Sequence, residues 1–143
     1  FAGEFNFFCY SNQIDNTEHF ALVKGDINEE EDTLVRVQKI NYVSDIFKGR
    51  LLNKKGNYSS IESAMIEIDK NKKGVLVIIK DNKSEFNKET VDSKNNSEFR
   101  EYGVGAQILR DLGVRKMLLL TNSKQEIIGL DGFDLKIVGK ISL

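Results

Sequence analysis

The 143-residue chain has no proline, one cysteine, one histidine and no apolar run approaching the roughly 20 residues of a membrane span. Each scarcity excludes something. A single cysteine, Cys9, cannot form an internal disulfide or a cluster of cysteine metal ligands, and it fits a reducing compartment. One histidine, His19, cannot hold zinc alone. The opening Phe1-Ala2-Gly3-Glu4 lacks the basic and apolar regions of a signal peptide, so the reading is a soluble, cytoplasmic protein away from membranes. Charge of one sign is also missing. With 21 basic and 22 acidic residues interspersed, there is no footprint for nucleic acid or membrane, while small or acidic ligands stay open. The lack of proline reads as genome composition bias and carries no chemistry.

What is present suffices for one ordinary core, since 40% of residues are apolar and 30% charged. One domain over residues 1–143 is expected. Glu4 to Tyr10, Phe20 to Val23 and Leu34 to Val37 read as three early strands. Between the last two, the acidic stretch from Gly25 to Asp32 reads as a solvated loop joining neighbouring strands. Ser59-x-x-Glu62 is a capping-box signature, and Ile61, Ala64, Met65 and Ile68 follow at helical spacing, which predicts a helix from about Ser60 to Lys72. Gly74 is expected to tolerate positive φ at its end. Val75 to Ile79 is β-branched and apolar on both faces, the pattern of a central strand.

Beyond it, Asp81 to Ser97 is polar and long for a connection, and a mobile loop is expected there. Val104, Ile108, Leu109 and Leu112 form a helical stripe ending at Gly113, and Met117 to Leu120 is a second buried strand. Ser123-x-x-Glu126 suits a short helix, and Leu135 to Val138 another strand. The last third alternates helix and strand, while the first strands lack helices between them. The expected class is therefore α/β (α+β), a mixed β-sheet with helices packed on it.

Two stretches carry a family likeness. Tyr102-Gly103-Val104-Gly105-Ala106-Gln107-Ile108-Leu109 with Leu118-Leu119-Leu120-Thr121-Asn122, and Glu18 to Asp26 with Leu34-Val35-Arg36-Val37, resemble the GTP cyclohydrolase II domain of riboflavin biosynthesis. The likeness covers nearly the whole chain with two gaps. After its Arg-Val pair the family continues His-Ser-Glu-Cys and later Arg-Cys-Asp-Cys-Gly, and its three thiolates bind a zinc ion that activates water for opening GTP. Here Arg36-Val37 runs into Gln38-Lys39-Ile40-Asn41, and the later stretch reads Leu51 to Gly56 without cysteine. The family's Glu-Gly-Arg-Gly-Ile-Gly-Leu segment is replaced by Asp81 to Asn96.

The resemblance makes Glu98 and Arg100 residual catalytic positions, and Arg36 and Thr121 residual nucleotide contacts. The lysine expected after Thr121 to meet phosphate is Glu126. Each has a plainer reading. Glu98 with Arg100 is also an ordinary exposed charge pair, and Thr121-Asn122 an ordinary helix entry. His19 reads as a satisfied structural imidazole, Cys9 as a small buried apolar group, and the basic stretch Lys48 to Lys55 as a solvated loop. The implied function is a GTP cyclohydrolase II-like domain without zinc, without other cofactors and without catalytic activity. Its role would be structural or regulatory beside a 3,4-dihydroxy-2-butanone 4-phosphate synthase domain, in the same or a partner chain. The abrupt start at Phe1 suggests that such a half precedes it. The competing expectation is a metal-independent enzyme or nucleotide-binding module of the same pathway, using Glu98 and Arg100. A homodimer is expected, from the resemblance and from the aromatic surface of Phe5, Phe7 and Phe8.

Overall fold

The computed structural model describes residues 2–40, 58–80, 102–122 and 133–143. Among them stand six strands and two helices: β1 (Asn6–Ser11), β2 (Glu18–Lys24), β3 (Asp32–Lys39), α1 (Ser60–Asn71), β4 (Gly74–Ile79), α2 (102–111), β5 (Lys116–Leu120) and β6 (Lys136–Ile141). The strands form one mixed sheet in the order β1-β2-β4-β3-β5-β6. β2 pairs antiparallel with both β1 and β4, whereas β4, β3, β5 and β6 run parallel.

The order corrects one expectation. The segment after Gly25 is exposed, but it does not join neighbours, because β4 lies between β2 and β3. β3 opens a strand–helix–strand unit, and its parallel partner β4 takes the place beside it that a hairpin with β2 would have used. β4 is accordingly the central, two-sided strand: Val75 and Val77 project to one face, Leu76 to the other, and all three have no exposed surface.

Among the described residues, each face is covered by one helix. Ala106, Ile108 and Leu109 of α2 cluster with Ala21, Val35, Val75, Val77, Met117 and Leu119, while Ala64 and Ile68 of α1 cluster with Leu34, Leu76 and Leu120. Opposite faces follow from the connections. From β3 the chain crosses through α1 to β4 on one side, and from β4 it returns through α2 past β3 to β5. Two right-handed crossovers in opposite directions must lie on opposite faces.

Local signals held at both helices, with one exception. The Ser59–Glu62 capping box is complete: Ser59 Oγ accepts from the Glu62 amide at 3.2 Å, and the Ser59 amide donates to Glu62 Oε2 at 2.8 Å. At the other end Lys72, with φ 59°, takes the left-handed position that the sequence pattern assigns to Gly74. Gly74 already belongs to β4, and a glycine is needed there for close approach: an added Cβ would lie 2.8 Å from Leu34 O and 3.0 Å from two Ile68 carbons. Gly113 does end α2 with φ +90°, its amide donating to Arg110 O at 3.1 Å. Gly105 lets α2 settle on β3, since a Cβ would meet Val37 Cγ1 at 3.0 Å.

Cys9 also departs from expectation. It is exposed on β1, the outer strand of the described sheet, where no described helix packs on its face. The stretches 41–57 and 81–101 and the expected helix after Ser123 lie outside the described residues.

One buried polar atom is unusual. Thr33 has no exposed surface, and its Oγ1 has no hydrogen-bond partner among the described residues. A buried hydroxyl without a partner costs on the order of 1–3 kcal/mol. Thr33→Val, which keeps the branched shape that suits a strand, should therefore raise stability by about 1 kcal/mol in urea unfolding. A loss of stability would mean that the hydroxyl has a partner which the valine cannot replace.

Candidate functional site

In the parallel part of the sheet the order β4-β3-β5-β6 places the point of reversal between β3 and β5, where successive connections leave in opposite directions. In doubly wound sheets the crevice outside the carboxyl ends of such strands is where ligands bind. Arg36 and Gln38 lie near the end of β3 on the face that α1 covers, Leu120 and Thr121 end β5, and Ser60 begins α1 at the same edge.

Arg36 ties these elements together. Its Nη1 donates to Leu120 O at 2.9 Å, its Nη2 to Ser60 Oγ at 3.1 Å and its Nε to Gln38 Oε1 at 3.3 Å. Ser60 Oγ in turn donates to Gln38 Oε1 at 2.8 Å. The planar fork of arginine suits three acceptors spread over two strands and a helix. Thr121, the other expected nucleotide contact, follows Leu120 directly and continues the ladder, its amide donating to Ile141 O at 2.9 Å. The fold thus brings Arg36 and Thr121 to the carboxyl-terminal side of two neighbouring strands, β3 and β5. Glu98 and Arg100 lie outside the described residues.

Gln38 and Ser60 were not singled out from the sequence. Gln38 had a signal, since it stands two residues after Arg36 and so shares its face of the strand. Ser60 had none, because nothing local says that the first residue of α1 meets an arginine on β3.

His19 sits at the start of β2, beside the end of β4, on the face that α2 covers. It is buried, and its Nδ1 accepts from the Lys80 amide at 3.1 Å, which places the ring proton on Nε2. Burial holds its pKa below the ordinary 6.5, partly opposed by the charge of Asp15. The folded chain therefore keeps the ring neutral at a pH where the unfolded chain protonates it. Its contribution to stability is complete above about pH 6.5 and is lost as pH falls from there toward the lower folded pKa. The unfolding free energy should fall between pH 7.5 and 5.5, and His19→Gln should flatten that slope. An unchanged slope in the variant would place its origin elsewhere.

The zinc that the resemblance implies does not fit the donors present. Cys9 pairs with Phe20 and His19 with Tyr10, so the chain's only thiol and only imidazole project from opposite faces of the sheet. Among the described residues no group of three or more His, Cys, Asp or Glu side chains is placed to share a metal ion. No described helix is long and apolar enough to cross a membrane.

Comparison with known proteins gives a consistent picture. The family model described as GTP cyclohydrolase II matches residues 1–142. The chain is 37% identical over 160 residues to the probable bifunctional riboflavin biosynthesis protein RIBA 1, chloroplastic, of Oryza sativa subsp. japonica, covering 99% of this chain and 29% of that protein. It is 35% identical over 159 residues to the riboflavin biosynthesis protein RibBA of Bacillus cereus, covering 99% and 39%. Among solved structures it is similar to RibBX from A. baumannii, described as a two domain 3,4-dihydroxy-2-butanone 4-phosphate synthase. The TM-score is 0.66 at 30% identity, covering 99% of this chain and 36% of that one. The chain thus spans well under half the length of these relatives.

Proposed function

This chain belongs to the GTP cyclohydrolase II family, and from that premise we propose that it is a cyclohydrolase II-like domain of riboflavin biosynthesis that does not open GTP. It is one domain over residues 1–143. It serves a structural or regulatory role beside a 3,4-dihydroxy-2-butanone 4-phosphate synthase domain, in the same or a partner chain, and it assembles as a homodimer in the cytoplasm. The observation that carries the loss of activity is the donor set. One thiol and one imidazole on opposite faces of a sheet cannot join in the three- or four-ligand site that activates water. Supporting the partner role, the two-domain RibBX is described by its synthase activity alone.

Purified protein is expected to hold far less than one zinc per chain by elemental analysis, and to release no formate from GTP when zinc is added. One tightly held equivalent of zinc, or formate release abolished by Arg100→Ala, would overturn this reading. A second reading is favoured by the placement of Arg36 and Thr121 on neighbouring strands at the same side of the sheet: a nucleotide-binding module, or a metal-independent enzyme of the pathway that uses Glu98 and Arg100. Calorimetry with GTP separates the two, since a scaffold need bind none.

A further inference from the structure

β4 ends at the peptide that links Ile79 to Lys80, and that peptide is held from both sides. Its carbonyl oxygen accepts from the Ile40 amide, just past the end of β3, at 2.9 Å. A trans peptide points its carbonyl and its amide in opposite directions, so the Lys80 amide faces β2. Backbone pairing between β2 and β4 stops at Phe20 and Ile78, and the next acceptor on β2 is a side chain: His19 Nδ1, 3.1 Å from the Lys80 nitrogen. The imidazole thus extends the ladder by one rung. A backbone amide can only donate, so this rung exists only while Nδ1 carries no proton.

The ring is 4% exposed, and among the described residues its charged and titratable surroundings come from every element that meets it. In the turn before β2, Asp15 is held below the ordinary carboxylate range by the hydroxyl and amide of Thr17, so its negative charge persists where an imidazole titrates and favours the imidazolium. Across the pair on β1, Tyr10 donates to Asp111 at the end of α2; burial, with Asp111 adding to it, pushes the Tyr10 pKa up, and the hydroxyl keeps its proton. Lys39 ends β3 in the same row of the sheet, opposite Ile79, and Lys80 follows β4. Burial outweighs Asp15, so the ring rests neutral at neutral pH.

We propose that His19 is a proton-operated latch on the end of β4: the neutral ring holds the Lys80 amide, and the imidazolium releases it. A proton taken from solvent onto Nδ1 turns the acceptor into a donor, so two N–H groups face each other and the rung breaks. The release is local. Val75 and Val77 are paired with both β2 and β3, and none of those pairs involves the ring. The Ile79–Lys80 peptide has no such support: once its amide is free, its carbonyl is held by Ile40 alone. The change therefore reaches the end of β3, where Gln38 pairs with Ile78 and Lys39 with Ile79. That is the strand end which carries the Arg36–Gln38 cluster. The latch and that cluster lie on opposite faces of the sheet and are joined through these last pairs.

His19 is the chain's only imidazole, so its ring signals report one titration in NMR spectra of the full chain. The ring should titrate below pH 6.5, with its proton on Nε2 above that midpoint. Amide exchange, read as the rate at Lys80 divided by the rate at Val77, removes the common pH dependence of exchange. This ratio should rise roughly ten-fold as the wild-type ring takes its proton, with Ile40 following by a smaller factor. In His19→Asn, whose Oδ1 offers an acceptor that does not titrate, the ratio should stay flat. A wild-type ratio that stays flat through the ring's titration overturns the latch, whether because Lys80 keeps its protection or because Val77 loses protection with it. A ring proton found on Nδ1 at neutral pH, or a rise that persists undiminished in His19→Asn, overturns it as well. The wild-type titration is complete in one protein, so a variant that fails to fold leaves the test intact.

Discussion

Gly74→Val should destabilise the fold by about 3 kcal/mol, the upper part of the range for overpacking a close contact. An added Cβ would stand 2.8 Å from the carbonyl oxygen of Leu34 and 3.0 Å from Ile68 Cγ1 and Cγ2. The first is backbone of the adjacent strand and cannot swing aside. The second belongs to a side chain with no exposed surface, seated between α1 and the sheet. Either β3 and β4 must part or α1 must lift, and both movements open the cluster of Leu34, Ala64, Ile68, Leu76 and Leu120. Gly74→Ala should act in the same direction with a smaller effect. The consequence reaches the Arg36 cluster, because α1 carries Ser60 to Arg36. Urea unfolding checks this, and a valine variant within 1 kcal/mol of wild type would mean that α1 is not seated on β4 as described.

Arg36→Met should lower stability by about 2–3 kcal/mol with no ligand present. Hydrogen bonds that involve a charged group contribute about 1.5–3 kcal/mol each, and the partial exposure of this cluster reduces that sum. Methionine keeps much of the aliphatic stem but removes the guanidinium donors to Leu120 O, Ser60 Oγ and Gln38 Oε1, leaving the Ser60–Gln38 bond to join α1 to β3 without the tie to β5. Arg36→Lys should recover only part of the loss, since an ammonium cannot reach three separated acceptors as a planar fork does. The measurement also bears on function. An arginine kept for a nucleotide would cost affinity for GTP and little stability, whereas one that clamps the crevice costs stability first. Thermal and urea unfolding of the ligand-free variant, beside GTP calorimetry of the wild type, distinguishes the two.

Much of the fold was legible where cause and effect are close in sequence. Ser59 and Glu62 are three residues apart, so their reciprocal cap follows from local geometry alone. Val75 to Ile79 could be read as a central strand because apolar residues on both faces leave no side for water. At Gly74 the sequence pattern points to a left-handed helix end, whereas the structure has Lys72 there and uses the glycine for close approach. A glycine just after a helix suits either a left-handed cap or a close approach, and only the position of Leu34 O and Ile68 decides between them. Cys9 misled in the same way. Its aromatic neighbours suggest burial, yet an edge strand leaves them all partly in water.

The candidate site divides along the same line. By itself the sequence determined the elements, the family and the shortage of metal donors, because periodicity, capping and the count of cysteines and histidines are properties of the chain read in order. Only the tertiary structure decided that β4 enters between β2 and β3, and that the one thiol and the one imidazole face apart. It also decided that Arg36 grips the carbonyl of a residue 84 positions away. Pairing between distant strands depends on how faces and crossovers close over one core, and local pattern says which residues can form a strand without saying which strand will lie beside it.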